Sequence, residues 1–173
     1  MDLLINDHSV LPRTRGERLE KIPICVRGTW DADIIDEIKP TYEDHIIVKR
    51  RDSTFQDTEL RVWLQSARIN ALIFCGVDTS ICVETSLRDG FNQGYDVILV
   101  ADATASGKNR HYDTTLERVR DYYGIVTHLH EFEEIMKILE QISSRKMDYG
   151  RLNERLSEFL EKHNLIDISK RTY

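Results

Sequence analysis

The chain has 173 residues, 40% of them hydrophobic and 31% charged, a composition typical of one soluble globular domain with a sizeable core. Its formal net charge of −6 disfavours nucleic acid as a partner, because binding phosphates requires a basic surface. No run approaches the roughly 20 apolar residues that cross a membrane, and the N terminus lacks the basic region of a secretory signal, so we expect a cytoplasmic protein.

Apolar and polar residues follow one another along the chain in a pattern that predicts helices and strands in turn. Helices are expected at residues 31–39, 57–67, 81–92, 111–122 and 131–142. Strands are expected at residues 45–48, 71–77, 96–100 and 125–129. From residue 45 onward strand and helix alternate, which predicts an α/β protein with a mainly parallel sheet in a three-layer α/β/α arrangement.

The strand predicted at 71–77, ALIFCGV, is continuously apolar, as expected for a strand that is buried on both faces. Ligands of such parallel sheets bind at the carboxyl ends of the strands. The strand ends predicted here are Lys49, Val77-Asp78 and Asp102.

The pattern changes after residue 142, so we divide the chain into a domain at 1–142 and a C-terminal segment at 143–173. The segment begins with a linker, SSRKMDYG, and continues with an amphipathic helix at residues 151–163. This helix either packs on its own domain or forms a subunit contact. The second alternative would make the protein a homo-oligomer.

Three cysteines without a CxxC spacing argue against a disulfide framework and against a zinc site. Cys82 follows the strand at 71–77 and a turn, in the first turn of a helix that Ser80 is placed to cap. The positive end of the helix dipole favours thiolate over thiol there, so Cys82 is the candidate nucleophile. The alternative is a small buried hydrophobic residue at a helix start. We expect Cys75 to be an inert core residue and Cys25 to lie in a loop without an activating neighbour.

Three separated segments resemble the isochorismatase-like cysteine hydrolases, a Rossmann-like family that includes nicotinamidases, N-carbamoylsarcosine amidases and ureidoacrylate amidohydrolases. The segments are VRGTWDADIIDEIKP (26–40), VKRRDSTFQDTEL (48–60) and GVDTSICVETSLRDG (76–90), the last followed by DVILVADATAS. The resemblance runs in order from about residue 22 to residue 140. It implies hydrolysis of a small amide, N-carbamoyl or ureido substrate through a thioester, without a cofactor.

The resemblance also implies roles for individual residues. Cys82 is the nucleophile and Lys49 the catalytic lysine, although a solvated lysine at a strand end is the plainer alternative for Lys49. The peptide bond between Val77 and Asp78 is cis, and the N–H groups of Asp78 and Cys82 form the oxyanion hole. Phe55 lines the substrate pocket, or is a core aromatic residue.

The family's third catalytic residue, an aspartate at the end of its first strand, has no counterpart in this sequence. MDLLINDHSV resembles the family's second strand, so the fold is expected to be incomplete at its N terminus. Three accounts are open: the sequence starts too late, a second chain supplies the strand, or catalysis has been lost. Asp7 is a candidate substitute base. If catalysis is lost, the chain is a non-catalytic hydrolase fold kept for assembly or ligand binding.

Other chemistries fit less well. We predict no metal, because Asp7 and His8 are adjacent, Ile24 stands where nicotinamidases tend to have histidine, and the remaining histidines lack a helical pair spacing. Cys82 and Arg88 have the C-x5-R spacing of tyrosine phosphatases. The intervening VETSL contains no glycine to shape a phosphate-binding loop, which argues against that activity.

Overall fold

The computed structural model describes residues 25–26, 28–134 and 136–137. The chain divides into two compact units, residues 1–69 and 70–173. The N-terminal run with Asp7, the linker and the C-terminal amphipathic helix lie outside the described residues. None of the described helices is long and apolar enough to cross a membrane.

In the first unit, short turns stand where the helix at 31–39 was expected. Two 3-10 turns form at Trp30–Ala32 and Asp36–Ile38, because Asp33 between them is extended (ψ 154°) and interrupts helical hydrogen bonding. Helix α1 spans Leu60–Ser66 and starts later than predicted, after Asp57 adopts a positive φ of 57°.

The strand predicted at residues 45–48 is wrong, because no regular structure forms there. A strand needs a neighbouring backbone to satisfy its N–H and C=O groups, and no described residue of this unit forms one. The run is also poorly buried, with Ile46 59% and Val48 47% exposed. His45 instead stacks on Trp63 of α1, with ring centroids 5.0 Å apart.

The second unit contains a parallel three-stranded sheet, which confirms the predicted α/β fold class. Strands β1 (Ala71–Val77), β2 (Asp96–Ala105) and β3 (Ile125–Thr127) lie in the order β1-β2-β3, and both pairings are parallel. β2 is longer and β3 shorter than the sequence pattern predicted.

Helices connect the strands as expected for parallel crossovers. A π-helical turn at Thr79–Val83 leads into α2 (Glu84–Asn92), and α3 (Asn109–Arg118) leads into a second π-helical turn at Val119–Tyr123. Residues 129–134 and 136–137 are also helical.

Two glycines allow the chain to turn from a helical segment into the next strand. Gly94 follows α2 with a φ of 90°, a conformation that favours glycine after a helix end. Gly124 follows the second π-helical turn, where a Cβ atom would lie 2.1 Å from the Val97 carbonyl oxygen of β2. A side chain at position 124 would therefore push the turn away from the sheet.

One face of the sheet carries the core of the second unit. Leu87 of α2, Leu99 of β2 and Val119 after α3 are fully buried. They belong to a cluster that also contains Val83, Val97, Ala101 and Val126.

β1 is less buried than its sequence predicts, and the expected burial of both its faces is wrong. Ile73 is 50% and Val77 63% exposed, whereas Phe74 on the opposite face packs against the core cluster. Alternate side chains of a strand point to opposite faces, and no described element of this unit covers the face that carries Ile73, Cys75 and Val77.

A buried carboxylate joins α2 to α3. Glu84 is 6% exposed and accepts hydrogen bonds from Arg118 Nε (2.9 Å) and Nη2 (2.7 Å), from Thr115 Oγ1 (2.6 Å) and from Arg88 Nη2 (2.5 Å). The Arg88 guanidinium also lies 4.8 Å from the ring centre of Tyr123. Burial raises the pKa of Glu84, but the hydrogen bonds from Arg118, Thr115 and Arg88 outweigh it and leave that pKa below its ordinary value.

Replacing Glu84 with alanine is expected to lower the free energy of unfolding by about 1.5–3 kcal/mol, because the hydrogen bonds of a buried carboxylate are lost while the two half-exposed arginines can still be solvated. Urea titration followed by circular dichroism measures the change. Asp113→Ala, which removes an exposed carboxylate from α3, is the control and should change stability little. Equal effects of the two substitutions would contradict a stabilising role for Glu84.

The same carboxylate predicts acid sensitivity. Because the pKa of Glu84 is lower in the folded chain than in the unfolded chain, its contribution to stability is complete above the ordinary value of 4.5. The contribution is lost as pH falls through the lower folded-state pKa. Unfolding free energies measured from about pH 6 to about pH 3 should fall more steeply for the native chain than for Glu84→Gln. Parallel curves would show that Glu84 does not contribute to acid sensitivity.

Candidate active site

The turn between β1 and α2 brings Asp78 and Cys82 together. The peptide bond between Val77 and Asp78 is cis. The N–H group of Asp78 donates a hydrogen bond to Cys82 Sγ, with 3.1 Å between nitrogen and sulfur. This bond fixes a backbone donor against the sulfur.

The π-helical turn orients the cysteine back toward the end of β1. The Asp78 carbonyl accepts hydrogen bonds from the N–H groups of Ile81 (3.2 Å) and Val83 (3.1 Å), the second of which closes the wide five-residue turn. Cys82 Sγ lies 3.1 Å from the Val77 carbonyl oxygen, to which a protonated thiol can donate. Cys82 is partly exposed as a residue and has fixed backbone partners at its sulfur.

The side chain of Asp78, and not Ser80 as predicted, caps this turn. Its Oδ1 accepts hydrogen bonds from Ser80 N–H (2.8 Å), Ser80 Oγ (2.8 Å) and Ser106 Oγ (2.7 Å), and its Oδ2 accepts one from Gly107 N–H (3.2 Å). Burial raises the pKa of Asp78, but the bonds from Ser106, Ser80 and Gly107 outweigh it and hold that pKa below its ordinary value. An ionised, fully engaged carboxylate of this kind is a weak proton acceptor.

Sequence reasoning did not identify Ser106 and Gly107 as part of this cluster. They follow β2, the parallel strand next to β1, and so reach the same carboxyl edge of the sheet. The signal available in the sequence is a serine-glycine pair directly after a buried strand, which is too common to assign by itself.

Lys49 and Phe55 belong to the first unit. Lys49 is 4% exposed and donates from Nζ to the carbonyl oxygens of Arg51 (2.7 Å) and Asp52 (3.1 Å), so the solvated-lysine alternative is wrong. It also does not end a strand. Phe55 is partly buried, and its N–H donates to Ser53 Oγ at 3.1 Å.

The other two cysteines have different surroundings. Cys75 is exposed on β1, so its predicted place in the core is wrong. The reason is the uncovered face of β1. Cys25 is partly exposed in a loop, where its N–H donates to the Asp31 carboxylate at 2.6 Å.

Two histidines of the second unit, His128 and His130, lie near the Glu131 carboxylate. His128 Nδ1 is 3.7 Å from Glu131 Oε2, and the rings of His128 and His130 are 6.1 Å apart. In the part of the chain that the structure describes, no three His, Cys, Asp or Glu side chains are grouped as metal ligands. Asp7, His8 and Ile24 lie outside it.

Residues 9–131 match the family model described as the isochorismatase domain. The match covers well over half of the chain, so the chain belongs to the isochorismatase family, and the resemblance seen in the three sequence segments is confirmed. The chain is 37% identical over 121 residues to the ureidoacrylate amidohydrolase RutB of Serratia proteamaculans. That alignment covers 69% of this chain and 48% of the relative, so the chain spans about half the length of the curated relatives it matches.

Solved structures support the same family. A cysteine hydrolase from Pseudomonas syringae pv. phaseolicola superposes with a TM-score of 0.67 at 27% identity, covering 76% of this chain and 67% of that one. The N-carbamoylsarcosine amidase of Thermoplasma acidophilum superposes with a TM-score of 0.58 at 27% identity, covering 65% and 64% of the two chains.

We expect Cys82 to be alkylated by iodoacetamide at neutral pH about tenfold faster than Cys25 or Cys75, because its sulfur lies at a helix start with a backbone N–H donor held against it. Peptide mapping by mass spectrometry over a time course gives the three rates. Cys75 is a demanding comparison, since it is more exposed than Cys82. In denaturant the three rates should converge, and equal rates in the folded chain would argue against an activated nucleophile.

Proposed function

We propose that this protein is a cysteine-dependent amidohydrolase that cleaves a small amide or an N-carbamoyl or ureido compound through a thioester. The observation that carries the proposal is the hydrogen bond from Asp78 N–H to Cys82 Sγ, because it equips the sulfur of a partly exposed cysteine with a fixed donor. Membership of the isochorismatase family and the identity to ureidoacrylate amidohydrolases support the amide and ureido chemistry.

In the proposed reaction, Cys82 Sγ attacks the substrate carbonyl carbon and a carbon–sulfur bond forms. The negative charge that develops on the carbonyl oxygen is held by the N–H groups of Asp78 and Cys82. The carbon–nitrogen bond then breaks, the leaving nitrogen takes up a proton, and ammonia or an amine departs. Water cleaves the thioester, which releases the acid and restores the thiol.

Two residues of the first unit have proposed roles that rest on the family resemblance. Lys49 is the catalytic lysine, and its burial, with Nζ held by two backbone carbonyl oxygens, supports a fixed position for the ammonium group. Phe55 contributes to substrate binding.

The residue that accepts the Cys82 proton is not Asp78, whose carboxylate already accepts four hydrogen bonds. Asp7 remains the candidate within this chain and lies outside the described residues. The alternative function, a non-catalytic hydrolase fold, would hold if no group takes that proton.

We also propose that the protein is a cytoplasmic homo-oligomer. The apolar face of β1, with Ile73 and Val77 at least half exposed among the described residues, is of the kind that supports association. The three free cysteines support a reducing compartment.

Ammonia release from a panel of primary amides, N-carbamoyl amino acids and ureido acids tests the proposal. Cys82→Ala should reduce release by at least about 10³-fold, because the nucleophile is removed. Cys75→Ser is the matched control and should retain activity, since this exposed thiol has no role in the reaction.

Lys49→Met should lower activity severely while Cys25→Ser does not. Circular dichroism must show that each variant folds. A folded native chain that releases no ammonia from any member of the panel would contradict the proposal and favour the non-catalytic alternative.

A further inference from the structure

We propose that the Asp78 carboxylate and the Ser106 hydroxyl are positioning residues, which together hold the Asp78 N–H group against Cys82 Sγ. This inference deepens the proposed function and rests on it, since it concerns the same sulfur. Neither residue acts on the substrate through its side chain. Each acts through the backbone of Asp78.

The first argument is that Asp78 is anchored at every polar group except the N–H that faces the sulfur. Its carbonyl oxygen accepts from two amides of the π-helical turn, and its carboxylate accepts from Ser80, Ser106 and Gly107. Turning the Asp78 N–H away from Cys82 therefore requires several of these bonds to break. The hydrogen bonds of Asp78 therefore restrain its backbone from rotating.

The second argument is that the anchor reaches a different segment of the chain. Ser106 Oγ donates to Asp78 Oδ1 at 2.7 Å and accepts from Ser80 N–H at 3.0 Å. The Ser106 hydroxyl, the Asp78 carboxylate and the Ser80 N–H thus form a closed ring of hydrogen bonds. Because Ser106 follows β2, this ring ties the cysteine turn to the neighbouring strand.

The third argument is a change of register that brings Ser106 into place. Phe74 of β1 pairs with Leu99, but Gly76 pairs with Thr104 and Val77 with Ala105. β2 therefore carries three more residues than β1 across this irregularity. Had the register of Phe74 continued, Asp102 would stand opposite Val77, and the serine would lie beyond reach of Asp78.

The low pKa of Asp78 is consistent with this role, because the carboxylate stays ionised at neutral pH and keeps its acceptor capacity. Charge-assisted hydrogen bonds of this kind are stronger than neutral ones and hold geometry more tightly.

Ser106→Ala tests the inference, with Ser106→Thr as the rescue variant that keeps the hydroxyl. In the alanine variant we expect alkylation of Cys82 at neutral pH to slow by about tenfold, and kcat to fall by a similar factor with KM changed less than about twofold. Ser106→Thr should restore both rates. Ser66→Ala, which removes an exposed hydroxyl bonded to the Trp63 carbonyl in α1, is the control and should change neither.

Native rates in Ser106→Ala, or equal losses in the alanine and threonine variants, would overturn the inference. A loss that disappears when alkylation is compared at equal folded fraction, measured by circular dichroism, would overturn it as well. The alkylation readout needs no substrate. If the chain hydrolyses nothing, slowed alkylation in Ser106→Ala rescued by threonine still supports the positioning role, whereas the proposed function fails separately.

Discussion

The hydrogen bond between Asp78 N–H and Cys82 Sγ is the interaction on which the candidate site depends. It exists because β1 ends in a tight turn whose carbonyl groups are taken up by a π-helical start, so that the cysteine folds back over the strand end. A regular α-helical start would place the sulfur differently relative to Asp78, since side-chain direction changes by about 100° for each residue along a helix. The wider turn is therefore part of the site.

The rest of the second unit maintains this turn. Glu84 is two residues beyond Cys82, and its bonds to Thr115 and Arg118 tie the start of α2 to α3. On the other side, the Asp78 carboxylate ties the turn to the residues that follow β2. Cys82 thus lies between two carboxylates. Glu84 fixes the start of α2, and Asp78 fixes its own backbone N–H group. Both have lowered pKa values because hydrogen bonds outweigh burial, so both remain anchors at neutral pH.

Hydrophobicity alone did not predict which parts of the chain are covered. The runs at 45–48 and 71–77 have nearly continuous apolar sequences, and both were expected to be buried strands. The first forms no strand and the second exposes one face, because burial requires a neighbouring element and a pattern of side chains does not supply one. Cys75 is exposed for the same reason. These side chains are suited to apolar surroundings, but the described residues cover them only in part.

Local sequence by itself determined the order of elements in the second unit, the parallel pairing and the place of Cys82 at a helix start. These features follow from apolar periodicity and turn residues within about ten positions of each other. The tertiary structure alone decided that Ser106 binds the Asp78 carboxylate and that Glu84 binds Arg118. Those contacts join residues 28 and 34 positions apart, and they depend on strand register and helix packing, which no local pattern encodes.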